Sequence, residues 1–588
     1  MSKRFNKLSL ALLALITLPL SACSLFNLAS LEDRVVTAYS FVDNPQSGMD
    51  IEEYKLDNYP FKVNYGEQHL LYMSLQAYSE LLRKYLNEDY YYYYTEDGNS
   101  STWGICDYEH GEFYFLASVM PRQKNIYVGG STSDVLNVGK DYSNSSLNVQ
   151  MGIDGKTLRE GTKDGYSYYG NTSYKAYRRN GEIYYPLSLL DAAIAPITGV
   201  YHIYNYNRII QFNDYSQLTD IEYIFDNQKL TAFSEMKKCR ELNFTSMPNY
   251  LIQDRANAFF FIMDNYYGLA QTRKIGSMVR YYEQQSYYDY FYTSDDSLRN
   301  EALYAAIGLL DDGHTAMDES EKAPWYTGIY SYGGSHLSNM LKVRSALRTS
   351  RGSFYSDLNK EVGDVIYSSS GKLAFFSFDS FNFADEAYKE DGETLKDDLY
   401  LSDTYFLFIK NFNDIISHGG VETVLIDVSI NGGGVLGIMM KLLALLSKDN
   451  KAPIYVMEDS TMMVEKDIVS VDSNGDNEFT VADCYGNKLK FALLTSEFSY
   501  SCGNAFPYYA QKFNYATIVG QVSGGGECTV SEAMLPSGEH FYHSSTMHLG
   551  YFNEETRIWE GDENGAPVDH LIDYDHFYNL DYLDQLLN

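Results

Sequence analysis

Ser501 and Cys502 stand side by side in the stretch LLTSEFSYSCGNAFPYYAQ, where an apolar run gives way to residues with helical spacing. The first backbone N–H groups of a helix have no partner within the helix and can hold an anion. A hydroxyl at that place lies beside a ready-made site for an oxyanion. The commoner use of a serine there is to cap the helix. By itself this stretch therefore favours capping, and a chemical role needs support from the rest of the sequence.

Two other stretches contain the residue types that a reactive serine would need. His314 lies in LLDDGHTAM, and Gly432–Gly434 lie in LIDVSINGGGVLG, between an apolar run and a run with helical spacing. A serine hydroxyl needs a base within hydrogen-bond reach, and histidine is suited to that role near neutral pH. The tetrahedral intermediate of acyl transfer needs N–H donors, and glycines let the backbone approach a substrate closely. Taken singly, each stretch has an ordinary structural explanation; together they contain the residue types that a reactive serine needs.

In this order the three stretches resemble the tail-specific (C-terminal-processing) serine peptidase family and its tricorn-core relatives, over residues 230–588. TSEFSYS is similar to the family's nucleophile turn, and GQVSGGGE is similar to one of its strand ends. The resemblance implies a crotonase-like α/β catalytic core, with Ser501 rather than the neighbouring thiol as nucleophile. It also implies an oxyanion hole with one N–H donor from the glycine run, assigned to Gly433, and the other from Cys502.

The resemblance also bears on the base. One branch of the family uses a lysine after the serine, but the corresponding segment here, Ser523–Gly526, contains none. The tricorn branch uses a histidine in a GHT-type segment, which implies His314 as general base. That branch adds a serine, where this sequence has Gly313, and a late glutamate, for which Glu560 and Glu563 both stay open. Serine chemistry of this kind is expected to need no metal and no cofactor.

Two further stretches have partial metal-site patterns. DSNGDNEFTVAD, residues 472–483, partly matches a calcium loop, but Asn477 takes the position at which such loops require glycine. We therefore expect a β-hairpin turn there. HFYH, residues 540–543, lacks the helical spacing of zinc-binding histidines and is expected to be a strand. No CxxC pair occurs, so a structural zinc site is not predicted.

The first residues of the chain predict export. MSKRFNK is basic, LSLALLALITLPL is apolar but too short to span a membrane, and LSAC follows with Cys23 at its end. This segment resembles the signal of bacterial lipoproteins, which implies a signal peptide over residues 1–22 and a lipid on Cys23. Residues 23–54 would be a tether. We therefore expect a protein anchored by lipid to the extracytoplasmic face of the cell membrane.

The overall charge excludes one class of partner. The sequence has 588 residues with 79 acidic and 45 basic side chains, a formal net charge of −34. Such a surface repels nucleic acid, so no nucleic-acid partner is expected. The six cysteines are scattered, which is poor evidence for a disulfide framework.

Pattern changes along the chain predict four further regions. Residues 55–225 alternate tyrosines with polar residues and predict a β-rich domain, in which 175–215 resembles a stalk module named for copper amine oxidases. Residues 227–320 have helical spacing and predict a bundle that ends in the GHT motif. Residues 321–370 would connect without a peptide-binding PDZ module. Residues 371–588 alternate strands with helices and predict the α/β peptidase core.

The sequence thus predicts a lipid-anchored extracytoplasmic serine endopeptidase that cleaves polypeptides by acyl transfer. Its partners would be a polypeptide substrate and the membrane that holds its lipid. The alternative is a catalytically inactive lipoprotein that keeps the peptidase fold and binds instead, which the missing lysine and the missing serine at Gly313 motivate.

Overall fold

The computed structural model describes residues 31–41, 47–56, 59–64, 70–86, 90–97, 100–107, 112–119, 126–128, 149–150, 166–168, 177–179, 182–204, 208–239, 247, 249–317, 335–384, 396, 398–458 and 463–588. The predicted signal peptide and Cys23 lie outside these residues, as does part of the predicted connecting segment. Among the described helices, none has the length and apolar character needed to cross a membrane.

The described strands, in chain order, are β1 Leu31–Ser40, β2 Tyr59–Asn64, β3 Leu71–Ser74, β4 Tyr90–Asp97, β5 Ser100–Asp107, β6 Glu112–Val119, β7 Ile126–Val128, β8 Val149–Gln150, β9 Tyr166–Tyr168, β10 Tyr177–Arg179, β11 Glu182–Pro186, β12 Tyr201–Tyr204, β13 Arg208–Phe212, β14 Glu222–Phe225, β15 Gln228–Thr231, β16 Ala316–Met317, β17 Ile366–Tyr367, β18 Leu373–Ser377, β19 Thr423–Asp427, β20 Ala452–Glu458, β21 Met463–Val469, β22 Lys490–Thr495, β23 Ala516–Gly520, β24 Cys528–Met534, β25 His540–Asn553, β26 Ile558–Gly561 and β27 His570–Leu571. The described helices are α1 Leu75–Leu86, α2 Leu187–Thr198, α3 Ser216–Thr219, α4 Ala232–Cys239, α5 Asn249–Tyr266, α6 Met278–Gln284, α7 Asp296–Leu309, α8 Ser335–Asp357, α9 Thr404–His418, α10 Leu436–Leu446, α11 Cys502–Lys512 and α12 Leu580–Leu587.

The first of two compact units comprises Met1–Lys140, Arg159–Ala306 and Ser531–Tyr542. Within it, strands form one sheet in the order β10-β11-β3-β2-β1-β13-β12 and another in the order β4-β5-β6-β7-β9. Helices α4, α5 and α6 lie within residues 227–320 and group with these sheets in one unit, while the bundle predicted there stays a prediction.

The second unit comprises Asp141–Leu158, Ile307–Val530 and His543–Asn588. Its boundaries differ from the predicted core of 371–588. Residues 531–542 group with the first unit because their polar groups bond within it: Arg255 Nε donates to Glu539 Oε1 at 2.7 Å. Such a long-range ion pair leaves no trace in local sequence patterns.

A six-stranded sheet in the order β17-β18-β19-β22-β23-β27 crosses the second unit. Strands β18, β19, β22 and β23 pair in parallel. Parallel neighbours need a crossover, and α9 and α11 each join two of these strands directly. The predicted α/β content of this region is confirmed, whereas the crotonase-like class stays a prediction.

Both faces of this sheet are buried, which explains why its strands are almost continuously apolar. Alternate strand residues point to opposite faces. One hydrophobic cluster takes Phe376, Ile426, Leu493 and Ile518 together with residues of α9, α10 and α11. The other takes Phe375, Leu425, Leu494 and Val519 together with residues of α8 and α12. The sheet is therefore the middle layer of three.

The loops of interest leave the sheet at one edge. The NGGG loop follows β19, the turn with Ser501 follows β22, and the segment Ser523–Gly526 follows β23. Because parallel strands place their carboxyl ends at the same edge, these three loops meet there. The sheet thus brings together segments far apart in the chain.

The β-hairpin turn predicted for residues 472–483 is wrong. β21 and β22, which flank the stretch, belong to different sheets. The side chain of Asp472 instead accepts backbone N–H groups of Gly475 and Asn477, and Asn477 takes a left-handed φ of 64°. Asparagine tolerates that conformation, so the chain turns here without a hairpin. HFYH is strand, as predicted.

Candidate active site

Ser501 lies at the end of the turn that follows β22, directly before α11. Its backbone has φ 56° and ψ −128°, a conformation that non-glycine residues rarely adopt. Its side chain makes no capping hydrogen bond, so the capping interpretation is wrong. It is partly exposed, whereas its neighbours Tyr500 and Cys502 are buried. Strain of this kind costs about 1–3 kcal/mol and concentrates at functional positions.

The other serines of TSEFSYS are structural. Ser496 Oγ donates to the carbonyl of Ser429 at 2.5 Å, and Ser499 Oγ donates to the carbonyl of Val428 at 2.8 Å. Both carbonyls belong to the loop after β19. These bonds tie the serine turn to the glycine loop and leave the hydroxyl of Ser501 without a partner among the described residues.

Gly433 packs directly against the serine. A Cβ atom at this position would lie 2.7 Å from Ser501 Cβ and 3.0 Å from its Oγ. The residue also has φ 110°, which strains any other side chain. Glycine is therefore required here on two counts, and the loop borders the space in which a substrate carbonyl would meet Ser501.

Asn431 organises this contact. Its carbonyl accepts the N–H of Tyr500 at 3.1 Å, and its Oδ1 accepts the N–H of Gly433 at 2.8 Å. The Gly433 N–H is thus engaged within its own loop. Its predicted role as oxyanion donor stays a prediction, and it requires the bond to Asn431 to be shared or exchanged.

Cys502 is the residue that directly follows Ser501, and its predicted role rests on its backbone rather than on its thiol. As the first residue of α11, it has an N–H with no acceptor inside the helix. Its Sγ donates to the carbonyl of Gly434 at 3.2 Å, and burial raises the pKa of the thiol to about 12. Because the thiolate is the reactive form, this cysteine is a poor nucleophile. Its predicted role as the second oxyanion donor stays a prediction.

His314 lies on the turn after α7, beside the residue that precedes the serine. Its ring centroid is 4.9 Å from that of Tyr500, and the Gly313 N–H donates to Tyr500 Oη at 3.2 Å. A Cβ at Gly313 would come within 2.8 Å of Tyr500 Cε1. The serine of the tricorn type therefore cannot fit here unless this ring moves.

Burial lowers the pKa of His314, and the nearby carboxylate of Asp312 opposes that shift. The imidazole is consequently neutral at neutral pH, the form that accepts a proton. Its Nδ1 is buried and has no hydrogen-bond partner among the described residues. No hydrogen bond joins His314 to Ser501 in the described part of the chain. The structure brings both residues to Tyr500 but leaves the base assignment a prediction.

The structure separates the two candidate acids. Glu563 Oε2 accepts the N–H groups of Gly526 and Glu527 at 3.0 and 3.1 Å. Burial raises the pKa of Tyr500, and the charges of Asp312 and Glu563 add to that shift. Glu560 instead pairs with Lys512 at 2.5 Å, with about half of its side chain exposed. Glu563 is thus beside the serine turn, whereas Glu560 is in a surface ion pair.

The sequence pattern pointed to Ser523–Gly526 as a strand end, but not to Tyr500 or to its packing against these glycines. The Ser501 N–H donates to the carbonyl of Gly525 at 3.0 Å, and a Cβ at Gly526 would lie 2.7 Å from Tyr500 Cζ. Tyr500 Oη donates to Asp312 Oδ1 at 3.2 Å. The available signal in the sequence was a tyrosine between two serines, directly before the candidate nucleophile.

The comparison with protein families agrees with the family predicted from the sequence. Residues 403–557 match the model of peptidase family S41. The predicted family is thereby confirmed over those residues, together with the predicted enzyme class, a serine-type peptidase. No curated protein matches the sequence.

Several solved structures are similar to this chain. Mature CPAF complexed with lactacystin has 12% identity and a TM-score of 0.37, with 57% of this chain and 98% of that chain covered. A lipoprotein from Streptococcus agalactiae has 9% identity and a TM-score of 0.34, with 58% and 99% covered. The photosystem II D1 C-terminal processing protease has 12% identity and a TM-score of 0.25, with 37% and 46% covered.

Proposed function

With residues 403–557 matching peptidase family S41, we propose that this protein is a serine endopeptidase that cleaves polypeptides through Ser501. The observation that carries the proposal is the conformation of this residue, a partly exposed serine at φ 56° whose hydroxyl is not used in capping. A strained serine between a strand and a helix presents its Oγ to a substrate.

The proposed reaction is acyl transfer. Ser501 Oγ attacks the scissile carbonyl carbon while its proton passes to the neutral imidazole of His314. The N–H of Cys502 and the loop of Gly433 stabilise the oxyanion. The C–N bond then breaks, the amine leaves with the proton from His314, and water hydrolyses the acyl-enzyme by the same route. Glu563 is the acid that we assign to this site.

The test compares Ser501→Ala with wild type on an unstructured polypeptide and with a fluorophosphonate probe. Loss of a catalytic serine lowers kcat by about 10⁶-fold in a triad enzyme. Ser350→Ala is the matched control, because Ser350 is an exposed residue of α8 and should leave both readouts unchanged. Equal cleavage and labelling by the Ser501→Ala and wild-type proteins would end the proposal.

A second candidate function is peptide binding without cleavage. The buried Nδ1 of His314 has no partner among the described residues, and no hydrogen bond reaches Ser501 from it. A catalytic imidazole is normally oriented through that nitrogen. A binder would retain an unstructured polypeptide with equal affinity in wild type and Ser501→Ala, and neither protein would cleave it or react with the probe.

We also propose that the enzyme is anchored by lipid at Cys23 on the extracytoplasmic face of the membrane. The basic start, the short apolar run and LSAC support this. Two acyl chains suffice for stable anchoring. Cys23→Ala should move the protein from the membrane fraction to the soluble or precursor fraction. Retention of a processed Cys23→Ala protein in membranes at high salt would contradict the anchor.

A further inference from the structure

Three side chains of different chemistry converge at the start of β24. His548 Nδ1, on β25, lies 2.9 Å from Glu527 Oε1 and 3.6 Å from Cys528 Sγ. The ligand atoms of the three residues all lie within 4.8 Å of one another. Only 6%, 2% and 4% of the surfaces of Glu527, Cys528 and His548 are exposed. Oxygen, sulfur and nitrogen donors thus meet in a space without bulk water.

The backbone holds this arrangement in place. β24 pairs with β25, and the Leu549 N–H donates to the carbonyl of Glu527 at 2.8 Å. Glu527 Oε2 accepts the N–H of Glu563 at 3.1 Å, which fixes the second carboxylate oxygen. The ligand atoms on these adjacent strands are already in position, so binding a metal ion would cost little conformational entropy.

A second buried carboxyl group, that of Asp562, lies next to Glu527. Its side chain is 1% exposed, and neither carboxylate oxygen accepts a hydrogen bond from the described residues. Asp562 follows Gly561, whose Cβ position is filled by Glu527 Oε2, so the two carboxylates are neighbours. In the described part of the chain, no lysine or arginine pairs with either of them; the ion-pair partner of Glu527 is His548. Buried anions need a cation or a proton nearby.

We propose that Glu527, Cys528 and His548 bind one divalent cation of the zinc type, with the carboxylate of Asp562 facing the same charge. Zinc is bound by cysteine sulfur, histidine nitrogen and carboxylate oxygen, four ligands in a tetrahedral site, so these three residues leave one position for a further ligand. A cysteine ligand favours zinc over the oxygen-loving magnesium and calcium ions. Binding replaces the contact between His548 Nδ1 and Glu527 Oε1 by two bonds to the metal. The Nδ1 proton is exchanged for one on Nε2, so the imidazole stays neutral, and the thiol proton of Cys528 leaves to solvent.

The site is distinct in role from the serine chemistry. None of its three ligands is assigned to proton transfer or to the oxyanion, so the bound ion would stabilise the fold around β24. It also connects to the acid of the active site, because the Glu527 N–H donates to Glu563 Oε2 at 3.1 Å. Metal binding is therefore expected to raise the melting temperature and to leave kcat nearly unchanged.

The experiment uses the purified full chain, stripped with a chelator under reducing conditions and titrated with Zn²⁺ or Co²⁺. We expect one equivalent of bound metal, a higher melting temperature, and a near-ultraviolet thiolate-to-Co²⁺ charge-transfer band. Cys528→Ser should remove the band and weaken the Kd by at least about 100-fold. Cys484→Ser is the matched control, because Cys484 is also a buried free thiol but not part of the cluster.

A wild-type protein that binds no stoichiometric Co²⁺, or a band that persists in Cys528→Ser, would overturn the proposal. If Cys528→Ser does not fold, His548→Gln serves as the second variant, since it keeps the thiol and removes the nitrogen ligand. A wild-type melting temperature that does not respond to Zn²⁺ would count against the site in either case.

Discussion

Two runs of three glycines face the serine turn, and they are glycine for different reasons. In Gly432–Gly434, a Cβ atom on the middle residue would lie 3.0 Å from Ser501 Oγ and would meet the proposed nucleophile itself. In Gly524–Gly526, Cβ atoms would instead meet the ring of Tyr500 and the backbone of Glu563. A side chain in the first run would therefore disturb the serine, whereas one in the second run would disturb the packing beneath it. Similar composition therefore does not imply similar function.

Among substitutions in the two glycine runs and at the two glutamates, the largest effect on activity is expected for Gly433→Ala. The new methyl group would lie 2.7 Å from Ser501 Cβ and block the oxyanion side of the nucleophile. We expect kcat to fall by about 100- to 1000-fold, as for the loss of an oxyanion donor. The free energy of unfolding should fall by only about 1–3 kcal/mol, from the left-handed φ. Steady-state kinetics and thermal unfolding measure both.

Gly437→Ala is the control for this prediction, because a Cβ at that helical position meets no atom within 4 Å. It should leave kcat unchanged. A folded Gly433→Ala protein with kcat within threefold of wild type would contradict the proposed difference between the two glycine runs.

Gly525→Ala should show the opposite pattern from Gly433→Ala, with the larger effect on stability rather than on activity. Its Cβ would overlap the carbonyl of Glu563, and its φ of 83° is strained for alanine. We expect a loss of about 3 kcal/mol in unfolding free energy, from overpacking and strain together. Gly371→Ala separates the two causes, since Gly371 has φ 75° but open space around it. A Gly525→Ala protein as stable as Gly371→Ala would show that the packing argument is wrong.

Substitutions of Glu563 and Glu560 test how the second glycine run, Gly524–Gly526, contributes to activity. Glu563→Gln removes the charge that accepts two N–H bonds there, so kcat should fall about tenfold, because charged acceptors make stronger hydrogen bonds. Glu560→Gln should change kcat less than twofold, since a surface ion pair is worth about 0–1 kcal/mol. Equal kcat values for the two variants would remove Glu563 from the site.

The smallest effect is expected in the pH dependence. Because burial lowers the pKa of His314, kcat/KM should rise with an acid limb below about pH 6.5. The unfolded chain takes up this proton first as pH falls. His314 therefore makes the folded state less stable from about pH 6.5 down to its folded pKa.

Urea unfolding at several pH values should show a weaker decline in His314→Gln than in wild type. An acid limb at or above pH 6.5 would contradict the assignment of this buried histidine as the base.

The sequence by itself determined the reactive residue types and their order. Ser501, His314 and the NGGG loop each stand in a local pattern, and local patterns survive in a linear sequence because a turn or a strand end needs particular residues. The alternation of strands and helices after residue 371 likewise indicated an α/β region, since both periodicities are local.

Only the tertiary structure decided which residues meet. It placed Glu563 rather than Glu560 beside the serine turn, because that choice depends on the hydrogen bonds of Gly526 and Glu527 across 36–37 residues. It showed that Ser501 is strained rather than capping, a property of two dihedral angles that composition does not encode. It also brought Cys528 and His548 together across a strand pair, for which no spacing rule exists. Contacts between distant residues follow from the packing of the whole sheet, so neither propensity nor spacing could have predicted them.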